Sequence, residues 1–192
     1  MAMSHFRSEA GSVVIETERL RLRPHRLDDY EDMVALSSDP EVMRFITSQP
    51  PTREEIWHRL MRYAGHWALL GYGLLAIEER VSGRFVGETG VADFHRGLGP
   101  DFDGFPEAAW MLGRAAQGKG YASEAAAAAI RWADAHFGGT RMVCLIDPAN
   151  AASLGVAGKC GFRRFGETRY RDKPVIMFER DPAHLPKGDQ PR

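Results

Sequence analysis

A short glycine-containing turn is the segment of this sequence best suited to hold a ligand. Residues 117–122 read Gln-Gly-Lys-Gly-Tyr-Ala and open the strongest helix-forming stretch of the chain. The first turn of a helix has N–H groups without intrahelical partners, and the helix dipole adds about half a positive charge there. Glycines at 118 and 120 remove the Cβ atoms that would keep a phosphate at a distance. The segment predicts a diphosphate site, with an ordinary strand-to-helix turn as the alternative.

A nucleotide-hydrolase interpretation competes for the same region. Residues 113–119 match the first seven positions of a Walker A loop, and residues 142–147 resemble the apolar strand and acid that follow such loops. At the next position that loop needs a Ser or Thr hydroxyl for magnesium, and this sequence has Gly120. Most of the chain precedes the loop, which leaves too little after it for the usual parallel sheet. The sequence therefore disfavours nucleotide hydrolysis.

The hydrophobic periodicity of the sequence predicts the strands and helices around this turn. We expect strands at residues 13–24, 67–78, 84–94, 108–112, 141–146 and 175–180. Helices are predicted at 28–36, from a Thr52–Glu55 capping box to His66, at 121–137 and at 151–160. A run of strands followed by strand–helix–strand units indicates an α+β domain, a mixed sheet flanked by helices.

Length and composition indicate one domain. The chain has 192 residues, of which 44% are hydrophobic and 27% charged, close to the average for soluble globular proteins. Residues 13–180 contain no linker or repeat. We interpret the polar residues 1–12 and 181–192 as mobile tails.

Charge and cysteine usage exclude several classes of partner. Lys and Arg number 25 against 26 Asp and Glu, a formal net charge of -1, so nucleic acid is not an expected partner. Cys144 and Cys160 lack metal-ligand spacing, as do the histidines, and we expect no metal and reduced, packed thiols. Neither a membrane-spanning stretch nor a signal-peptide core is present, which favours a cytoplasmic protein without a membrane partner.

Four segments in a fixed order resemble one enzyme family. Residues 117–122 fit the Gln/Arg-x-x-Gly-x-Gly/Ala signature of the GNAT superfamily of acyl-CoA-dependent N-acetyltransferases. Residues 17–24, Thr-Glu-Arg-Leu-Arg-Leu-Arg-Pro, resemble the opening strand of its RimJ/RimL branch. Residues 150–153 and 159–162 resemble later signatures of that branch. Together these segments span most of the chain and are far more specific than any one of them.

The resemblance implies both a fold and a co-substrate. The expected sheet is mostly antiparallel and splays between its fourth and fifth strands, here residues 108–112 and 141–146. Acetyl-CoA is the expected co-substrate, with its pantetheine arm along the fourth strand and its pyrophosphate on the glycine turn. The cofactor-binding residues assigned in this way are Trp110, Met111, Leu112, Gln117, Gly118, Lys119, Gly120, Tyr121, Ala122, Asn150 and Ser153. Asn150 is also a plausible helix N-cap, and Lys119 an ordinary surface lysine.

Acetyl transfer to an amine needs a base for the ammonium, a polarised thioester carbonyl and a proton for the departing thiolate. By the resemblance, Glu107 at the start of the fourth strand is the candidate base, with a solvated strand-end glutamate as the alternative. Ser153 is the candidate proton donor. Glu88, Asp93 and His95 are weaker candidates for the base.

Two departures from the family pattern stand out. Trp110 occupies a position where tyrosine is common, so a catalytic phenol is missing there. Gly155 and Gly158 fall inside the helix after Asn150, where each costs about 1 kcal/mol relative to alanine. We therefore expect a looser or shorter helix at 151–160.

The sequence predicts an acetyl-CoA-dependent N-acetyltransferase that acts on a primary amine by direct attack in a ternary complex. The acceptor, a protein N-terminus or a small amine, stays open, as does the oligomeric state, a homodimer included. Asp101, Asp103 and Glu107 favour a cationic acceptor. The alternatives are a non-catalytic acyl-CoA-binding sensor domain and the P-loop-type nucleotide hydrolase.

Overall fold

A computed structural model describes residues 13–47 and 49–182. The tails expected at 1–12 and beyond 182 lie outside the described residues. The strands are β1 (Ile15–Glu16), β2 (Leu20–Pro24), β3 (Leu74–Glu79), β4 (Phe85–Ala92), β5 (Glu107–Leu112), β6 (Met142–Ile146), β7 (Arg163–Tyr170) and β8 (Lys173–Arg180). The helices are α1 (Tyr30–Ser38), α2 (Pro40–Met43), α3 (Arg53–Leu70), α4 (Tyr121–Phe137) and α5 (Ala151–Lys159).

The eight strands form one mixed sheet in the order β1-β2-β3-β4-β5-β6-β8-β7. Every neighbouring pair is antiparallel except β5 and β6, which run parallel. These two strands pair at a single position, Glu107 with Val143, and then diverge. The first strand predicted from the sequence is two strands in the structure, β1 and β2. The predicted fourth and fifth strands are therefore β5 and β6. The predicted splay between them is confirmed.

Helix α4 packs across the splayed sheet because one of its faces consists of alanines. Ala125, Ala128 and Ala129 join a core cluster with Leu20, Leu22, Leu75, Ile77 and Leu112 on the β2–β5 side. Ile130 and Ala133 join a second cluster with residues of β6, such as Met142 and Cys144. Small side chains let the helix lie close to the strands, so α4 ties the two halves of the sheet together. Gly138, in the left-handed region, ends it as expected.

Helices α1 and α3 cover the opposite face of β3, β4 and β5. Met33, Ile56, Leu60 and Tyr63 are buried there against Leu74 and Ala92. The Thr52–Glu55 capping box that predicts the start of α3 is present, with Thr52 Oγ1 accepting from the Glu55 amide at 3.2 Å. This face of the sheet is the one toward which Glu88 and Glu107 project.

Three sequence-based boundaries are wrong. The predicted strand 13–24 is a hairpin, β1 and β2, turned at Thr17–Arg19, where the Thr17 amide donates to the Leu20 carbonyl. Helix α3 continues through Trp67 to Leu70, so the strand predicted from Trp67 begins only at Leu74. Trp67 is buried on the helix and donates its indole N–H to the Leu74 carbonyl at 2.9 Å.

Strand β7 is absent from the sequence prediction, and α5 is a continuous helix. The residues of β7 are exposed or half-buried, so they carry no clear apolar alternation. Helix α5 runs without interruption through Gly155 and Gly158 and ends at Lys159, one residue before the predicted end at 160. Both glycines face open space, with nothing within 4 Å of an added Cβ. Within the described part of the chain, no helix is long and apolar enough to cross a membrane.

Candidate active site

The opening between β5 and β6 exposes one edge of β5. The other edge is fully laddered to β4, from Gly87–Leu112 to Ala92–Glu107. Toward β6, Glu107 is the one residue of β5 with a strand partner among the described residues. The backbone of Trp110, Met111 and Leu112 therefore borders the gap, which is where a chain-like ligand with amide groups can pair with a strand.

Beyond this edge the chain enters the glycine turn at the start of α4. The Gln117 side-chain amide donates to the Leu112 carbonyl at 3.0 Å and ties the turn to the end of β5. Gly118 and Gly120 both lie in the left-handed region, with φ of +74° and +79°. Nothing lies within 4 Å of a Cβ built on Gly118, so the space above the turn is open.

These features fit a diphosphate. Residues 117–120 are exposed, and α4 begins at Tyr121 with Gly120 as its N-cap, which leaves the amides of the first turn directed at the opening. A Cβ at position 118 would stand in that space and strain the backbone as well. The described residues contain no group of His, Cys, Asp and Glu side chains suited to a metal ion.

Arg19 adds a cation beside the turn that sequence reasoning did not single out. Its guanidinium donates to the Lys119 carbonyl at 2.8 Å and to Glu124 Oε2 at 2.7 Å, and it stacks on Tyr121 at 4.7 Å from the ring centroid. Arg19 belongs to the 17–24 segment. Because it lies far from the turn along the chain, the sequence pattern does not reveal their contact. Lys119 is exposed, with Nζ 5.8 Å from the Tyr121 centroid.

Two of the expected site residues meet across the gap between β5 and α5. The Trp110 indole N–H donates to Ser153 Oγ at 3.2 Å. An indole is a donor only, so the Ser153 hydroxyl is the acceptor in this contact and its own hydrogen is left to be donated elsewhere. Both side chains are half-buried. The tryptophan found in place of the family's common tyrosine thus orients a hydroxyl.

Asn150 caps α5. Its side-chain oxygen accepts from the Ser153 amide at 3.1 Å. This bond establishes the N-cap alternative for Asn150 and at the same time fixes the backbone from which Ser153 projects.

Glu107 forms a buried ion pair. Its side chain is 5% exposed, and its two carboxylate oxygens accept from Nε and Nη2 of Arg96, each at 2.6 Å. Burial raises the pKa of Glu107 above its ordinary value, and the Arg96 guanidinium offsets this only in part. The alternative of a solvated strand-end glutamate is therefore wrong, and no local sequence pattern indicates the arginine partner.

Glu88 lies on the same face, one strand away, opposite Met111. It is 2% exposed, and its carboxylate lies 3.4 Å from His25 Nε2, 3.5 Å from Arg59 Nη2 and 3.3 Å from the Tyr63 hydroxyl. Burial by itself raises the pKa of Glu88, but Arg59, His25 and Tyr63 together hold it below its ordinary value. A carboxylate held in this way is a weak base.

The remaining candidates for the base lie in the loop between β4 and β5. His95 is 89% exposed at its side chain, and its Nε2 lies 3.1 Å from Asp93. Asp103 accepts from the amides of Gly97 and Gly99 and so shapes the loop. Asp103 and Glu107 therefore have partners inside the chain and do not offer the free negative charge that the sequence suggests for a cationic acceptor.

Comparisons with known proteins agree with this geometry. Residues 19–163 match the family model described as an acetyltransferase (GNAT) domain. YkkB, an uncharacterized protein of Bacillus subtilis, is 31% identical over 170 residues, which cover 85% of this chain and 93% of YkkB. YnaD of the same organism, described as an uncharacterized N-acetyltransferase, is 28% identical over 79% of this chain and 84% of its own.

Solved structures show the same fold. A Bordetella pertussis protein described as a GnaT-family acetyltransferase is 32% identical, with a TM-score of 0.78 over 88% of this chain and 99% of its own. The ribosomal-protein-S5-alanine acetyltransferase of Vibrio fischeri has a TM-score of 0.68 at 17% identity, over 90% of this chain and 98% of its own. At that identity the second likeness concerns the fold alone.

Proposed function

Because the chain belongs to the GNAT acetyltransferase family, we propose that it transfers an acetyl group from acetyl-CoA to a primary amine by direct attack in a ternary complex. The observation that carries this proposal is the continuous path from the open edge of β5 to the glycine turn at the start of α4. The mostly antiparallel sheet, with β5–β6 as its one parallel pair among the described residues, also removes the nucleotide-hydrolase alternative.

The open edge and the turn would share the coenzyme between them. Trp110, Met111 and Leu112 offer backbone groups to the pantetheine amides, and the amides of residues 117–122 receive the pyrophosphate. Asn150 lies at the same gap, at the start of α5. When bound, acetyl-CoA supplies an acyl group activated as a thioester. A backbone N–H of β5 is the simplest donor to its carbonyl oxygen.

Glu107 is our candidate for the base. A free α-amino group titrates near 8 and a lysine near 10.4, so the acceptor arrives as an ammonium and must lose a proton before it attacks. A carboxylate whose pKa burial has raised is a better proton acceptor than an ordinary glutamate. The proton moves from the acceptor nitrogen to a Glu107 oxygen, directly or through one water.

Ser153 is our candidate for the proton donor. Its hydroxyl accepts from Trp110, which leaves its hydrogen for the thiolate that departs from the coenzyme. This geometry supports a role that a tyrosine fills in other members of the family, and it gives Trp110 a function in orienting the donor.

Two classes of acceptor are considered, a protein N-terminus and a small amine. Resemblance of residues 17–24 to the RimJ/RimL branch favours a protein N-terminus, and a small amine is the other class. We place the reaction in the cytosol, where free thiols such as those of Cys144 and Cys160 persist.

Release of the CoA thiol, measured with a panel of amines and N-terminal peptides, tests the proposal. We expect release that depends on both acetyl-CoA and one class of amine. Glu107→Gln should slow it about 100-fold or more and leave the affinity for CoA unchanged. Tight CoA binding without turnover on any amine would instead identify the non-catalytic sensor domain. Stabilisation by ATP with magnesium but not by acetyl-CoA, in a thermal-shift measurement, would contradict both.

A further inference from the structure

The partner of Glu107 is held in a box that suits any flat or compact cation. The guanidinium carbon of Arg96 lies 4.7 Å from the Phe94 ring centroid and 4.8 Å from the Tyr170 centroid, while its nitrogens donate to both oxygens of Glu107. Two aromatic faces and a buried carboxylate form a strong site for a positively charged group. In the free protein the chain fills this box, which we define as Phe94, Tyr170 and Glu107, with its own side chain.

Arg96 reaches the box from a loop and not from the sheet. Residues 93–106 contain no helix or strand, and Arg96 follows His95, a non-glycine residue with φ of +46°. The arginine side chain is 20% exposed, whereas that of Glu107 is 5% exposed. Rotation about the side-chain bonds of Arg96 can empty the box without moving its walls, because Glu107 belongs to β5 and Tyr170 to β7, while Phe94 lies in the same loop as Arg96 but on a separate side chain.

The box discriminates between ligands by charge. Without Arg96, Glu107 would be a buried carboxylate with no cationic partner, which is unfavourable. The carboxylate then either takes up a proton or binds a group that brings its own positive charge. An ammonium or guanidinium group does so, and a neutral or anionic group does not.

We propose that the Phe94–Tyr170–Glu107 box is the binding site for the cationic head of the acceptor, and that Arg96 is an internal surrogate which the acceptor displaces. This inference rests on the proposed function for the identity of the ligand, but the box can be tested by itself. The ligand is the primary amine of the proposed function, bound as its ammonium. Displacement of Arg96 explains how one carboxylate serves twice, because the ammonium that replaces Arg96 is the group that gives a proton to Glu107 and becomes the neutral amine.

The binding test uses methylguanidinium as the probe and needs no turnover. We expect millimolar methylguanidinium to raise the melting temperature of Arg96→Ala in a saturable way, compared with sodium chloride at the same ionic strength. The wild type should not respond, since its box is filled. Arg62→Ala is the matched control, because Arg62 also stacks on Phe94, at 5.9 Å, but forms no ion pair with Glu107. The double variant Arg96→Ala/Glu107→Gln should lose the response.

Equal responses of Arg96→Ala and wild type, or a response that survives in the double variant, would overturn the box as a cation site. These outcomes are independent of whether acetyl transfer occurs, so the failure of the box and the failure of the proposed function are distinguishable.

A kinetic test addresses displacement. With 1,4-diaminobutane or an alanine-initiated peptide as acceptor, whichever is turned over, Arg96→Ala should lower KM about 10-fold or more, because the internal competitor is gone. Arg96→Lys retains a cation and should lie between Arg96→Ala and wild type. A fall in kcat with unchanged KM in Arg96→Ala would show that Arg96 stays in place and supports the structure of the site, which contradicts displacement.

Wild-type protein provides a check that does not depend on the folding of a variant. The side-chain Nε–H of Arg96 donates to Glu107, so its NMR resonance should move toward that of a free arginine at saturating acceptor. A resonance that stays in place while the acceptor is turned over would refute the proposal.

Discussion

At the level of single residues, the proposed reaction depends on the protonation state of Glu107. Glu107 is buried and paired with Arg96, and burial raises its pKa above the ordinary value. As a base it works in its deprotonated form, so kcat/KM should fall as the pH drops through a value above 4.5, its ordinary pKa. Because Arg96 lowers the pKa of Glu107, Arg96→Gln should move this acidic limb to higher pH. A pH–rate profile of both proteins measures the shift, and coincident limbs would argue against Glu107 as the base.

Replacement of the carboxylate is the complementary measurement. Glu107→Gln should lower kcat about 100-fold or more, since general bases contribute at least this much, with CoA affinity retained. Glu167→Gln is a suitable control, because that glutamate lies in β7 and its side chain is 59% exposed. Comparable loss of activity in the two variants would mean that the effect is not specific to the site.

Ser153 and Trp110 form the second proton path. Ser153→Ala removes the donor and should lower kcat about 100-fold, with KM for acetyl-CoA changed by no more than a few-fold. Trp110→Phe keeps an aromatic ring but removes the N–H that orients the hydroxyl, and we expect a smaller loss of kcat. Steady-state kinetics of both variants decides the matter. Wild-type kcat in Ser153→Ala would exclude the hydroxyl as the proton donor.

At the scale of elements, the glycine turn makes a prediction about coenzyme affinity. Gly118→Ala places a methyl group where we expect the pyrophosphate and strains a residue with φ of +74°. Gly83→Ala is matched, because Gly83 has φ of +69°, also has nothing within 4 Å of its Cβ, and lies in the turn between β3 and β4. Both variants should lose about 1 kcal/mol of stability.

Titration calorimetry with CoA separates the two. Gly118→Ala should weaken binding about 10-fold or more, about 1.4 kcal/mol, and Gly83→Ala should not. Equal affinities would show that the turn is only a strand-to-helix connection.

The elements also show which parts of the fold a sequence encodes locally. The alanine run and the paired glycines place α4 correctly at Tyr121–Phe137, and Thr52 with Glu55 places the start of α3. Strand β7 escapes detection because it is only half-buried and lacks apolar alternation. The end of α3 is not predicted correctly, because the last turn of the helix is as apolar as a strand. Gly71, in the left-handed region, is the residue that marks the end of the helix.

At the scale of the whole molecule, the two halves of the splayed sheet are held together by α4. Arg180 of β8 donates to both carboxylate oxygens of Asp134 in α4, each at 2.8 Å, and the two side chains are 7% and 6% exposed. Asp134→Ala leaves a buried arginine without its partner and should cost about 3–5 kcal/mol of unfolding free energy. Urea titration measures this cost.

The double variant Asp134→Leu/Arg180→Met should recover most of that stability, because apolar residues of similar size replace a buried ion pair at little cost. A loss below about 1 kcal/mol in Asp134→Ala, in the range of surface pairs, would show that the pair does not join the halves.

Local sequence patterns do not show three charge pairs of this protein, of which two lie at the site and one joins the halves of the sheet. Arg96 with Glu107, Arg19 with Glu124 and Arg180 with Asp134 join segments from different parts of the chain. Local patterns indicate the strand, the turn and the helix that carry each residue, but a charge pair depends on how those elements pack. The positions of Trp110, Ser153 and the glycine turn were accessible from the family pattern, whereas the arginine partners required the three-dimensional structure.

A crystal structure with CoA bound would show whether the open edge of β5 and the turn at the start of α4 hold one coenzyme between them. We expect pantetheine amides paired with the backbone of residues 110–112 and the diphosphate on the amides of residues 117–122. A diphosphate elsewhere, for example in the cleft lined by Asp32, Arg84 and Arg114 beside α1, with the turn left empty, would contradict this expectation.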